Sequence, residues 1–294
     1  MLRSLTLIAV LAVCAAAAPA RAGEGYASCS GFIDSVPHSI TSAGTWCLRH
    51  DLATAATSGA AISIQADNVV LDCNGFKIGG LGAGPGTNAT GILGGGSIGS
   101  GGSQYNVTVR NCTVRGFATG LSIIPGSGNG GGYLIEDNLF DQNRVSGILV
   151  GASRNRVQRN RVLNTGGKPG STNSAGIRAS ADLIDNTVDG VFGDETQANI
   201  SVYGIDVGSA VAHLVHGNQI SGLRHKGSGA AYGLLAGGGV TLSHNRVVAA
   251  TPVAVSSGAG ICGYQGGCLC TGNTVANFSN PFSTCTDLGG NGSH

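Results

Sequence analysis

The sequence predicts an all-β solenoid of short stacked coils, and three observations carry that expectation. The first is a repeat: the phrase from Leu183 to Val188, centred on Asn186, recurs at Asn74, Cys112, Asn138, Asn160, Asn218, Asn245 and Asn273. From Cys112 onward the copies stand 26, 22, 26, 32, 27 and 28 residues apart, a period that marks a stack of repeated units rather than one compact core. The second is a pair of apolar columns. Three residues before the centres stand Leu71, Val109, Ile135, Val157, Leu183, Val215, Leu242 and Cys270; two residues after them stand Phe76, Val114, Phe140, Val162, Val188, Ile220, Val247 and Val275. The third is a Gly column, in which Gly91, Gly120, Gly147, Gly176, Gly204 and Gly233 are each followed by Ile or Leu, so that every coil has three short strands.

The centre is nearly always Asn for a physical reason. Asn tolerates the left-handed backbone of a sharp bend, and its amide both donates and accepts. Stacked at the strand spacing of about 4.8 Å, such amides bond up and down a column as in cross-β ladders. Three strands per coil with Asn in the tight turn after the second strand resembles the right-handed parallel β-helix of the pectin-lyase-like superfamily, over about Ser58 to Phe278. The expected architecture is therefore an all-β, right-handed parallel β-helix of about eight coils with an N-terminal cap and a disulfide-stapled C-terminal end.

In chain order, residues 1–22 read as a secretory signal: Arg3 in a basic head, an apolar run from Leu5 to Ala18, and Ala20-Arg21-Ala22 as the cleavage site. That places the protein outside the cytoplasm, secreted or periplasmic. No other run is long and apolar enough to span a bilayer. Residues 23–57 lie outside the repeat and hold the single Trp, Trp46, read as core of a cap that covers the open solenoid end. Residues 58–294 form the β-helix and its C-terminal cap; Gly79 to Gly102, rich in Gly and Ser, is a loop excursion.

Eight cysteines follow the signal: Cys29, Cys47, Cys73, Cys112, Cys262, Cys268, Cys270 and Cys285. An even number in an exported chain points to disulfides rather than to a metal. Adjacent coils bring Cys73 to Cys112, and Cys29 with Cys47 would pin the cap. The last four are expected to form two bridges of open connectivity, leaving no free thiol.

Composition bounds the partners. A formal net charge of +1, with charged residues at 11%, gives no electrostatic case for nucleic acid. The 52 glycines suit tight turns and close backbone contacts. In enzymes of the resembled superfamily, substrate lies along the outer face of the first strand, beside the loop that precedes it. Alternation places Leu93, Ser122, Leu149, Arg178, Asp206 and Leu235 on that face. Arg178 and Asp206 are thus expected neighbours. With Lys168 they are the candidate catalytic groups, and Asp194, Glu195, Arg224, His225 and Lys226 in adjacent loops are candidate substrate-binding groups.

Lyases of the superfamily use an Arg or Lys base and neutralise a uronate with calcium or basic side chains, whereas its hydrolases use clustered Asp residues; this chain has more of the first set. No cofactor or resident metal is expected, calcium being the one ion the resemblance leaves open. The Trp-Ile-Asp-His, Asn-Thr-Asp, Gly-His-Gly and Asp-Pro-His-Asp motifs of the superfamily's enzymes are absent. The expected function is binding, with or without cleavage by β-elimination, of a uronate-containing polysaccharide by a monomer. The alternative is a non-enzymatic surface or envelope β-helix with an adhesive or structural role. A third reading makes Arg178 and Asp206 one more cross-strand surface pair, like the alternating Asp72, Arg110 and Glu136. His213 is expected to be a buried, satisfied histidine.

Overall fold

The computed structural model describes residues 26–95, 104–126, 130–208, 212–254, 258–264 and 267–294. The segment read as a secretory signal, 1–22, lies outside the described residues, as does 96–103 of the Gly- and Ser-rich excursion. The rest is a parallel β-helix of three long sheets. Sheet A has 11 strands and includes Leu134–Glu136 and Asp182–Ile184; sheet B has 10 and includes Asn173–Ala179 and Ser201–Val207; sheet C has 10 and includes Thr187–Phe192. The pairings between these strands are parallel, each strand bonding its equivalents one coil before and after.

The apolar columns form the core. Val157, Leu183 and Val215 pair in sheet A, Val162, Val188 and Ile220 in sheet C, and Ile148, Ile177 and Ile205 in sheet B, all with exposures of 0 or 1%. The Gly column lies within the sheet B strands, where it faces the apolar column of sheet C. A Cβ built on Gly176 would lie 2.4 Å from Val188 Cγ1 and 2.7 Å from the Gly204 carbonyl oxygen. Any larger residue there would displace the stacked backbone.

The Asn ladder is formed. Asn138, Asn160, Asn186, Asn218 and Asn245 each donate Nδ2 to the Oδ1 of the next ladder Asn, at 2.9–3.1 Å. Each also donates Nδ2 to a main-chain carbonyl one coil back, as Asn186 does to Val157 at 2.8 Å. The ladder continues beyond the repeat to Asn291, which accepts from Asn273 Nδ2 at 2.9 Å.

Two sequence expectations are corrected here. The left-handed backbone belongs to the residue before the centre, with φ of 57° at Asp137, 52° at Arg159, 54° at Asp185 and 68° at Gly217. Asn is therefore selected at the centre by its hydrogen bonds, and the sharp bend falls on its neighbour. The first turn is also two residues longer than the others: Leu71 pairs with Val109, but Ile78, not Phe76, pairs with Val114. Asn74 (φ 50°) and Gly75 (φ 82°) take up the extra length, and Asn74 sends its amide to the Leu48 carbonyl at 3.2 Å.

The N-terminal segment is itself coiled onto the end. Gly44–Leu48 adds a strand to sheet A, Leu52–Ala53 to sheet C and His38–Ile40 to sheet B. Trp46 packs against the core, as expected, with Nε1 donating to the Ser42 carbonyl at 3.1 Å. Cys29–Cys47 and Cys73–Cys112 are bridged as expected, and Cys270–Cys285 forms a third disulfide.

The fourth expected bridge is absent, because Cys262 and Cys268 are free. Cys262 pairs with Leu235 in the outward column of sheet B, whereas Cys268 and Cys270 lie buried in sheet A beside Cys285. Three sulfurs thus contend for one bridge: Cys268 Sγ is 2.7 Å from Cys285 Sγ and 3.8 Å from Cys270 Sγ. Burial pushes the Cys268 thiol up to about 11, and the neighbouring Cys262 adds to the shift.

Candidate functional site

The three sheets differ in the charges they carry. The strands of sheet A hold Asp72, Arg110, Glu136, Arg156, Asp182 and Asp287, and those of sheet C hold Lys77, Arg115, Asp141, Arg161, Asp189, Arg224 and Arg246. Many of these pair across strands, as Arg110 does with Asp72 at 2.7 Å and Arg115 with Asp141 at 3.2 Å. The ten strands of sheet B contain, of Asp, Glu, Lys and Arg, only Arg178 and Asp206. Its outer face includes Ser63, Thr90, Leu93, Thr119, Ser122, Leu149, Leu235, Cys262 and two tyrosines.

Arg178 and Asp206 meet as adjacent register partners on that face. Arg178 Nε donates to Asp206 Oδ2 at 2.7 Å, with the guanidinium side chain 49% exposed and the carboxylate 17%. The guanidinium carbon also lies 5.7 Å from the Tyr203 ring centroid, within range of a cation–π contact. Tyr203 in turn stacks on Tyr232 of the next coil, with centroids 5.6 Å apart and planes 17° from parallel. Burial raises the Tyr203 phenol above its usual value, and Tyr232 and Asp206 reinforce the shift, so the ring stays neutral. The site is a row of Arg178, Tyr203 and Tyr232, with Asp206 beside the first two.

The tyrosines were missed in the sequence. They occupy the column immediately before each Gly, where Thr90, Thr119, Ser146 and Ala175 precede them. Two aromatic residues in consecutive coils of one outward column were the available signal.

The other candidate groups are placed elsewhere. Lys168 Nζ donates to Asn88 Oδ1 at 2.5 Å, reaching back along the solenoid and away from Arg178. Asp194 accepts from the Gly170 and Thr196 amides at 2.8 and 3.0 Å, which hold its carboxyl down to about 2 and tie two corner loops together. Lys226 donates to the Glu195 carbonyl, and the Arg224 guanidinium lies 4.4 Å from the Phe192 ring centroid. His225 is half-buried beside them. These five residues build the corner between sheets C and B, and nothing brings Lys168 to the Arg178–Asp206 pair. His213 is buried as expected but not satisfied as expected: Nδ1 lies 3.9 Å from Asp182 Oδ1, beyond hydrogen-bond distance, and Nε2 has no partner.

A concavity of about 730 Å³ opens on the opposite side, where sheets A and C meet, walled by Asp72, Arg110, Asp137 and Arg159. Four of its charges pair, Arg110 with Asp72 at 2.7 Å and Arg159 with Asp137 at 2.8 Å, while Arg161 in the same wall makes no ion pair among the described residues. A resident calcium does not fit sheet B. The ion takes about six to eight oxygens, and the single carboxylate on this face is held by Arg178. Among the described residues, the cluster of His, Cys, Asp or Glu close enough to hold a metal is Cys268, Cys270 and Cys285, and two of those sulfurs are bonded to each other.

Comparison with known proteins bears on the fold. No curated protein matches the chain. Among solved structures, the Dettilon tailspike protein (gp208) superimposes with a TM-score of 0.50 at 15% identity, over 88% of this chain and 56% of that one, so the chain spans little more than half of the tailspike's length. The A-module of Azotobacter vinelandii mannuronan C-5 epimerase AlgE6 gives 0.48 at 12% identity, over 92% of both chains. The catalytic unit of the GH87 α-1,3-glucanase from Streptomyces thermodiastaticus strain HF3-3 gives 0.47 at 15% identity, over 92% of this chain and 64% of that one. At 15% identity the likeness to the tailspike shows the fold and nothing about activity, and the two lower scores carry no argument. A family model described as the right handed beta helix region matches residues 96–280, well over half of the chain, and this protein therefore belongs to that right-handed β-helix family.

Proposed function

We propose that the outer face of sheet B binds a polysaccharide lengthwise along the solenoid, and that the protein does so as a monomer outside the cytoplasm. The observation that carries this reading is the row of Arg178, Tyr203 and Tyr232 beside Asp206, on the one sheet nearly free of charge. A sugar ring presents an apolar C–H face that packs on an aromatic ring, and hydroxyls that bond to a carboxylate and a guanidinium. A regular face with equivalent positions every coil suits a polymer with a repeating unit. Three disulfides support an oxidising compartment. No helix among the described residues is long and apolar enough to cross a membrane.

The geometry supports binding better than cleavage. β-Elimination beside a uronate requires a base free to reach the substrate C–H, and Arg178 is bonded to the Asp206 carboxylate at 2.7 Å. Arg178 thus serves as a clamp for the polymer, which also suits the adhesive alternative. The test is affinity electrophoresis of the purified protein through gels containing a panel of polysaccharides. At least one polymer should retard the protein, and Arg178→Ala should lose that retardation with an unchanged melting temperature. Full retardation of the variant would refute the site.

A further inference from the structure

We infer that this face takes a neutral glycan and holds it without cutting it, an inference that rests on the polysaccharide reading above and narrows it. The charges decide the ligand class. A polyuronate brings a carboxylate with each sugar and needs a cation at each subsite, yet sheet B offers one cation, already neutralised by Asp206. Three corner cations lie outside these strands and bond neutral groups, Lys168 to Asn88, Lys226 to the Glu195 carbonyl, and Arg224 to the Phe192 ring. A uronate beside Asp206 would meet a like charge, and the one cation in the strands of this sheet is already paired with that carboxylate, which selects against anionic polymers.

The same groups suit a neutral sugar. Asp206 accepts from one hydroxyl and the remaining guanidinium N–H groups of Arg178 donate to its neighbour, a pairing that reads adjacent hydroxyls on one ring. Tyr203, with Arg178 on one side and Tyr232 stacked on the other, holds Tyr232 in place, and Tyr232 supplies apolar surface for the C–H face. Thr90, Thr119 and Ser122 continue the face with hydroxyls and Leu93 and Leu149 with apolar surface, neither of which adds charge.

Retention without turnover follows from the same inventory. Hydrolysis of a glycosidic bond uses two carboxyl groups flanking it, and Asp206 is the single carboxylate in the described strands of this sheet. Of the two adjacent loop acids, Asp194 is pinned by the Gly170 and Thr196 amides, and Glu195 lies on the same corner loop rather than in a sheet B strand. Elimination needs a carboxyl group to acidify the adjacent C–H, and a neutral hexose has none.

The experiment compares soluble neutral glucans and mannans with alginate and polygalacturonate in affinity gels of the full chain, at low and high salt. Reducing ends and ultraviolet-absorbing products are followed after prolonged incubation. Neutral glycan binding that survives high salt, falls about tenfold or more in Tyr232→Ala and in Asp206→Ala, and yields no product is the expected result. Arg161→Ala, on sheet C, serves as the control and should bind as the parent does. Salt-sensitive binding confined to the polyuronates would overturn the neutral class while leaving the polysaccharide reading intact. Product formation from any polymer would overturn retention without cleavage. Failure to bind any polymer would overturn both readings. Thermal melts of the variants separate loss of the site from loss of the fold.

Discussion

Replacing Asn186 with Leu removes a buried amide from the middle of the ladder, and its cost follows from the bonds it breaks. Asn186 is 0% exposed; its Oδ1 accepts from Asn160 N and Nδ2 at 3.0 and 3.1 Å, and its Nδ2 donates to Val157 O at 2.8 Å and Asn218 Oδ1 at 3.0 Å. In Asn186→Leu the Asn160 amide keeps its bonds to the Ile135 and Gln158 carbonyls, and Asn218 Oδ1 keeps the Asn186 main-chain N–H. The Asn160 main-chain N–H loses its acceptor and the Val157 carbonyl loses a donor, both in a core that water does not reach. An orphaned buried polar group costs about 1–3 kcal/mol, so the variant should lose about 2–5 kcal/mol. For a chain of this size that is a fall in Tm on the order of 10 °C. Arg246→Ala, at an exposed position one residue from a ladder centre, should stay within about 0.5 kcal/mol of the parent. Denaturant unfolding followed by circular dichroism compares the two, and amide exchange reports Asn160 N–H directly. Equal and small effects at both sites, or an Asn160 N–H that exchanges as slowly in the variant as in the parent, would refute the account of the ladder as a stabilising column.

Three further predictions follow from the packing and the sulfurs. Gly176→Ala should cost about 1–3 kcal/mol or more, because the new methyl meets Val188 Cγ1 and the Gly204 carbonyl, whereas Gly86→Ala, with nothing within 4 Å, should be neutral or slightly stabilising; equal melting temperatures would contradict this. Alkylation of the unreduced protein should label Cys262 in the native state and both Cys262 and Cys268 after denaturation, since Cys268 is buried and its thiol, raised to about 11, stays protonated at neutral pH; zero labelled thiols after denaturation would restore a fourth bridge. Burial lowers the His213 pKa, a shift that Asp182 opposes, so the unfolded chain takes up the proton first. Its contribution is present above the ordinary histidine value near 6.5 and is lost as pH falls from there toward the folded value. His213→Leu should flatten the stability profile in that window, and an unchanged slope in unfolding curves between pH 7 and 5 would count against it.

Much of the fold was legible because one coil repeats the physics of the next. A mistake about a single copy, such as Phe76 in place of Ile78, changes one rung and leaves the columns standing. That mistake arose because Asn74-Gly75 looks like a ladder centre followed by a turn, while its extra length is visible only in the register. The assignment of the left-handed bend to Asn failed by one residue because Asn satisfies both requirements, and only the φ angles at Asp137, Arg159 and Asp185 separate them. Strand alternation brought Arg178 and Asp206 together correctly. Where long side chains end was not legible: Lys168 is five residues before the strand of Arg178, yet its amine finishes on Asn88, 80 residues back in the chain. The lone position of Cys262 could have been read from parity, since it follows Ile261 as Leu235 follows Leu234.

The ladder also has a direction. Each ladder amide from Asn138 to Asn273 gives one hydrogen to the Oδ1 of the next coil and the other to a carbonyl one coil back, while the Oδ1-to-Nδ2 links all run one way, so the column is a train of aligned couplings with two different ends. At the front the place of an Asn is taken by Cys112, which offers its main-chain N–H to Asn138 and is itself locked to Cys73. At the rear Asn291 couples to the Asp287 carboxylate, which has no hydrogen to pass on. Neither terminus accepts another carriage, but any joint between Asn138 and Asn273 does, because the rung on one side is identical to the rung on the other. The molecule can therefore be lengthened or shortened by whole coils in its middle, carrying the sheet B face with it, while both ends stay as they are.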